Sequence, residues 1–176
     1  GVELHEHYRL VLPHIDRPRM CYAGLMSGPN GPHLILEALD ALKRMGIHAT
    51  CEFVGEFEDP RYQTHFNTII DAKGLEDLVS LVESSERIDV GRAFARSNIL
   101  VMPQIRNAAV GLVQFEAQAA GLAVIRSRAG GYAESLDHKI NGRFFEPENP
   151  EDVGWALRQL ISYPYAWSQI CLQRQA

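Results

Sequence analysis

Apolar positions recur along the chain in two alternating rhythms. Short runs that are apolar at nearly every position give way to longer segments whose apolar residues fall three and four apart. The first rhythm predicts strands buried on both faces, the second amphipathic helices. Residues 20–24 form the first run. Residues 32–45 carry Leu34, Ile35, Ala38, Leu39 and Leu42 at helical spacing, with Gly46 as a stop. Residues 50–55 predict a strand. Residues 60–73 predict a helix presenting Tyr62, Phe66, Ile69 and Ile70 and ending at Gly74. A strand over 79–82, a helix over 88–97 and a buried strand over 98–103, stopped by a proline, complete the first half. A helix over 111–120, a strand over 122–125 and a short edge strand over 142–145 follow. Residues 151–161 predict a strong helix aligned on Val153, Ala156, Leu157, Leu160 and Ile161.

This alternation predicts an α/β domain over residues 19–163: a parallel sheet in three layers, with helices on both faces. Residues 1–18 mix charge, histidine and proline without a period and predict a lead-in or linker. Residues 164–176 predict a further short helix. Ligands of such sheets bind outside the carboxyl ends of the strands. The loops after Ala23, Val54, Val82, Met102 and Ile125 are therefore the places to look for chemistry.

Composition narrows the choice. A chain of 176 residues with 46% hydrophobic content fits one globular domain with its own core. The net charge is −5 and no block of Lys or Arg occurs, which argues against nucleic acid or an anionic membrane as partner. Cys21, Cys51 and Cys171 are odd in number and lack C-x-x-C spacing, so they read as buried thiols of an intracellular protein. The most apolar window, 108–125, is interrupted by Gln114, Glu116 and Gln118, so no spanning segment is expected. The seven histidines lack metal-ligand spacing, and His5, His7 and His14 read as part of a solvated segment rather than as a ligand set. No Ser/His/Asp arrangement stands out.

Three segments offer chemistry. The stretch 111–131 (GLVQFEAQAAGLAVIRSRAGG) predicts a glycine-opened helix, a buried strand and a Gly-Gly loop. A helix N-terminus gathers unpaired N–H groups and attracts phosphate, and Glu116 within that helix could accept bonds from sugar hydroxyls. The alternative is a carboxylate on the exposed face; because the helix is apolar on most sides, a buried Glu116 with a partner is expected. The loop from Gly24 to Gly31 (GLMSGPNG) lies between a strand and a helix, where a phosphate cradle or a plain Gly/Pro turn would sit. It is neither G-x-G-x-x-G nor G-x-x-x-x-G-K-[ST]. Gly130 and Gly131, before Tyr132, Ala133 and Glu134, form a glycine turn that could admit a ligand to the backbone.

Taken together, "GLVQFEAQAAGLAVI", "GGYAE" and "NGRFFEPENPEDV" make the chain resemble the C-terminal, nucleotide-sugar-binding domain of retaining GT-B glycosyltransferases of group 1 (family 4). The resemblance runs from about residue 20 to 161. It implies a Rossmann-like half of a GT-B fold and a nucleoside-diphosphate sugar as donor, with no metal and no other cofactor. Glu116 matches the second acid of the family's E-x7-E motif and would hold ribose hydroxyls. Gly111, Leu112 and Val113 match the helix start that faces the donor. Gly24 and Gly31 bound the first loop, and the segment after Val82 would lie near the nucleobase. A cytoplasmic location is expected, peripheral to the inner membrane through a second domain. That domain, or a partner subunit, would carry the acceptor.

The departures are specific. The first acid of E-x7-E falls at Ala108, and the arginine and lysine of the family's first loop fall at Leu25 and Asn30. Losing one such charge from a desolvated pair costs on the order of 2–5 kcal/mol. Arg106, Arg126 and Arg128, on or beside nearby loops, are the candidate replacements for the phosphate; the alternative is ordinary solvated arginines. A rival reading follows, in which the fold persists as a non-catalytic module for protein contact. An epimerase or oxidoreductase is disfavoured by the missing G-x-G-x-x-G and by the lack of a Tyr-x-x-x-Lys pair.

Overall fold

The computed structural model describes residues 17–104, 112–127, 142–145 and 152. Residues 1–16 of the expected lead-in, the Gly-Gly turn and the terminal helices lie outside them, apart from Asp152. Six strands form one parallel sheet in the order β3-β2-β1-β4-β5-β6. They are β1 (Arg19–Ala23), β2 (Thr50–Val54), β3 (Val79–Val82), β4 (Ile99–Met102), β5 (Ala123–Ser127) and β6 (Gly142–Phe145). The helices between them are α1 (Pro32–Arg44), α2 (Pro60–Lys73), α3 (Arg87–Arg96) and α4 (Val113–Ala119). This is the doubly wound order, in which the chain reverses direction across the sheet between β1 and β4.

Side chains alternate along each strand, so one set of strands feeds two cores. Met20 and Tyr22, with Phe53, Val101 and Ile125, pack under Ile35, Leu39, Leu42 and Phe66 of α1 and α2. Cys21, with Leu100, Met102 and Val124, packs on the other face under Phe94 of α3 and Ala117 of α4. Burial on both sides explains the apolar runs at residues 20–23 in β1, Ile99–Met102 in β4 and 123–125 in β5. β3 departs from that expectation: Ser80 and Leu81 are exposed, because among the described residues this strand ends the sheet and pairs with β2 alone. Cys21 and Cys51 are free and buried. Burial pushes the Cys21 thiol up to about 12 and the Cys51 thiol well above its ordinary value, so both stay neutral at physiological pH.

Helix boundaries follow local chemistry. α2 starts where Asp59 accepts the Tyr62 N–H at 2.8 Å with a proline behind it, and stops at Gly74 in the left-handed region. Asp59→Ala is expected to cost about 1 kcal/mol by removing that acceptor. A lower urea midpoint with an unchanged slope would register it. α4 starts later than the sequence suggests. Its cap is Leu112 and its first helical residue Val113, so Glu116 sits in the first turn.

Candidate functional site

The carboxyl ends of β1, β2 and β3 are in register, with Ala23 beside Val54 and Val54 beside Val82. The ladder continues one step past the strands: Gly24 N–H donates to the Val54 carbonyl and Gly55 N–H to the Val82 carbonyl, both at 3.0 Å. Gly55 lies so close to Gly24 that a Cβ there would overlap the Gly24 carbonyl oxygen. Further out, an isolated parallel bridge joins Met26 to Phe57, through Met26 N–H to Glu56 O (2.9 Å) and Glu58 N–H to Met26 O (3.0 Å). The first two strand-to-helix loops thus form one stitched wall.

The opposite wall comes from two helix starts. α3 and α4 pack on the same sheet face, which brings their first turns together. Ser84 donates to Asp89 Oδ2 at 2.6 Å and accepts the Glu86 N–H at 3.1 Å, fixing the turn that places Arg87 at the first residue of α3. Arg87 Nη2 donates to Glu116 Oε1 across the gap. Between the walls lies a cleft of about 320 Å³. Gly24, Leu25, Gly55 and Glu56 line one side and Ser84, Ser85, Arg87 and Val90 the other, with Val113 and Glu116 contributed by α4. Ala23 and Val54 complete its lining. It opens at the carboxyl edge of the sheet, where such folds take ligands.

The expected residues fall as follows. Glu116 lines the cleft, but its side chain is 38% exposed, so the expectation of burial under an apolar helix is corrected. The reason is that α4 turns apolar residues outward: Leu112 is 69% and Phe115 50% exposed. The partner that a buried acid would have required is nonetheless present, in Arg87. Val113 and Gly24 line the cleft, whereas Leu112 caps α4 outside it. Val82 is half-buried, and its carbonyl accepts from Gly55 and from Ser84. Gly31 is the left-handed cap of α1. One early N–H of that helix, at His33, donates to the Tyr62 hydroxyl at 3.2 Å, so part of the α1 start is already spoken for by protein.

Leu25 and Asn30 serve their own loop. The Leu25 carbonyl accepts from the Tyr22 hydroxyl at 2.7 Å and from Asn30 Nδ2 at 3.0 Å, while the Leu25 side chain gives the cleft an apolar surface. Arg126 is 4% exposed rather than solvated, and donates to Gln114 Oε1 at 2.6 Å. Desolvation lowers its pKa from the usual arginine value. This contact ties the buried face of α4 to β5. Arg106, Ala108, Gly111, Arg128 and the Gly130-Gly131 turn lie outside the described residues. Sequence reasoning missed Arg87 and Gln114. Arg87 stood in the segment expected near the nucleobase, but nothing in its spacing pairs it with Glu116. Among the described residues, no group of three or more His, Cys, Asp or Glu side chains is placed to hold a metal. No helix among them is long and apolar enough to cross a membrane.

Comparison with known proteins agrees with this fold. The spore coat protein SA of Bacillus subtilis is 26% identical over 92% of the chain, which covers 44% of that protein. A D-inositol 3-phosphate glycosyltransferase of Pseudarthrobacter chlorophenolicus is 24% identical over 82% of the chain, covering 34% of that enzyme. The chain thus spans less than half the length of these curated relatives. Among solved structures, Anabaena HepE in complex with UDP and glucose superposes with a TM-score of 0.80 at 20% identity, over 99% of this chain and 47% of that one. The C-terminal domain of the glycosyl transferase group 1 family protein LpcC of Francisella tularensis gives 0.75 at 22% identity, over 88% of this chain and 80% of that one. The family profile described as "Glycosyl transferases group 1" matches residues 11–169. The chain therefore belongs to the group 1 glycosyltransferases, and its fold is one half of a GT-B fold.

Proposed function

We propose that this chain binds the nucleotide-sugar donor of a retaining glycosyltransferase of the hexosyl-transferring kind. The acceptor would be held by a second domain or a partner subunit, on the cytoplasmic side of any membrane involved. The observation that carries the reading is Glu116 in the cleft at the carboxyl edge, beside two helix starts. An ionised carboxylate there accepts two ribose hydroxyls, and the partial positive charge of a helix start favours a nearby phosphate. The half described here supplies positioning and charge stabilisation for the departing nucleoside diphosphate. It need not supply a general base. Gly111, Arg106 and Arg128 remain the candidates for the phosphate side. Arg126 would have to act from its buried bond to Gln114.

Support for the donor reading comes also from the relatives: HepE was crystallised with UDP and with UDP-glucose. A second reading, a glycosyltransferase-like module used for protein contact, draws on one observation. The two first-loop positions where the family places cations hold Leu25 and an Asn30 bound to its own loop. Calorimetric titration of the chain with UDP, ADP and GDP separates the two. Saturable heat with one of them at up to millimolar ligand is the expected result. No heat with any of the three would favour the contact module.

A further inference from the structure

We propose that Arg87 is a positioning residue for Glu116, holding one carboxylate oxygen so that the other is presented to a pair of vicinal hydroxyls on the ligand. The inference rests on the nucleotide reading above and adds to it a residue that neither charge pattern nor motif singled out. Three observations carry it. Arg87 bonds Glu116 through Oε1 alone, and no described group takes Oε2. Both side chains line the same cleft, although they come from helices that follow different strands. The backbone from which Arg87 projects is held, since Ser84 closes the turn before α3 by bonding Asp89 and Glu86.

The physical need is orientation. A glutamate on a short helix has three side-chain torsions and would spread its carboxylate over many positions; each must be given up when a ligand binds. A charge-assisted bond to a guanidinium restricts that spread beforehand. The neighbouring wall is apolar at Val90 and Val113, so these side chains offer no rival hydrogen bond. Arg87 is 83% exposed, and an ion pair of that kind contributes little to folding. Its contribution is to how the ligand's hydroxyls are read.

The test compares the wild-type chain with Arg87→Ala and Arg87→Lys, by calorimetry with UDP, ADP and GDP and with the 2′-deoxy and 3′-deoxy form of each. Wild type is expected to prefer the ribo form. Arg87→Ala should weaken ribonucleotide binding by about fivefold to twentyfold, leave the deoxy forms within about twofold, and keep the melting temperature within about 2 °C. Arg87→Lys, which keeps the charge, should recover most of the preference. The inference is overturned if Arg87→Ala keeps the wild-type preference, or weakens ribo and deoxy forms equally. A wild type that binds ribo and deoxy forms alike overturns it while sparing the nucleotide reading. A wild type that binds no nucleotide overturns both.

Discussion

Glu116→Ala is expected to weaken nucleoside-diphosphate binding by about thirtyfold or more, which is about 2 kcal/mol and takes a weak interaction below calorimetric detection. The size follows from what is lost. Hydrogen bonds to an ionised acceptor are about twice as strong as neutral ones, and this carboxylate sits beside the starts of two helices. Removing it also leaves Arg87 without its partner, but that guanidinium already meets solvent over most of its surface. Water can take over its bonds, so the fold should hardly notice. Thermal melting of Glu116→Ala should match wild type, and a circular dichroism melt run beside the titration checks this. An alanine variant that binds nucleotide as tightly as wild type would remove the acid from the site altogether. The reading of the cleft as a donor site would go with it.

The second large effect concerns stability. Gly55→Ala is expected to destabilise the chain by about 3 kcal/mol or to prevent folding, because its Cβ would occupy the space of the Gly24 carbonyl oxygen. That obstacle is backbone, and it cannot swing aside as a side chain could. The two loops would have to separate, at the expense of the hydrogen bonds that extend the ladder from Gly24 to Val54 and from Gly55 to Val82. Gly28→Ala in the first of these loops is the matched control. Nothing lies within 4 Å of the Cβ it would add, and its φ is not in the left-handed region. Its cost should stay within about 0.5 kcal/mol. Urea unfolding of both variants distinguishes a specific close approach from a general dislike of alanine in this wall.

Much of the fold was legible because burial on both faces writes itself into the sequence. Ile99 to Met102 is apolar at every position and is a central strand. The helix over 60–73 agrees at both ends, since Asp59, Pro60 and Gly74 are local signals that need no tertiary context. The strand over 142–145 was visible as an edge, and among the described residues it pairs with β5 alone. The start of α4 was harder to place. Gly111 looked like the opening residue, yet helical geometry begins at Val113, and helix starts lack a sharp signal when no Ser, Thr, Asp or Asn stands at the cap. Arg126 shows the other limit. An arginine beside a glycine-rich loop reads as a cation for solvent or phosphate; only the packing of α4 on β5 reveals the buried bond to Gln114. The cleft acid was legible as a residue and illegible as a geometry. Its partner lies 29 positions away, and pairing at that distance is decided by how two helices share one sheet face.

The bridge between Met26 and Phe57 has a consequence for how this scaffold could change its ligand. It fastens the loops after β1 and β2 to each other, so a substitution in either must satisfy both. The segment from Ser84 to Glu86 carries no such double duty: it crosses from an edge strand to a helix, and Ser84 bonds Glu86 within it and Asp89 just beyond it. Changes in what the cleft accepts would therefore accumulate on that margin, with the stitched side inherited nearly unaltered. A library randomised over those few positions should yield many folded members, and the same effort spent on the stitched side should yield few.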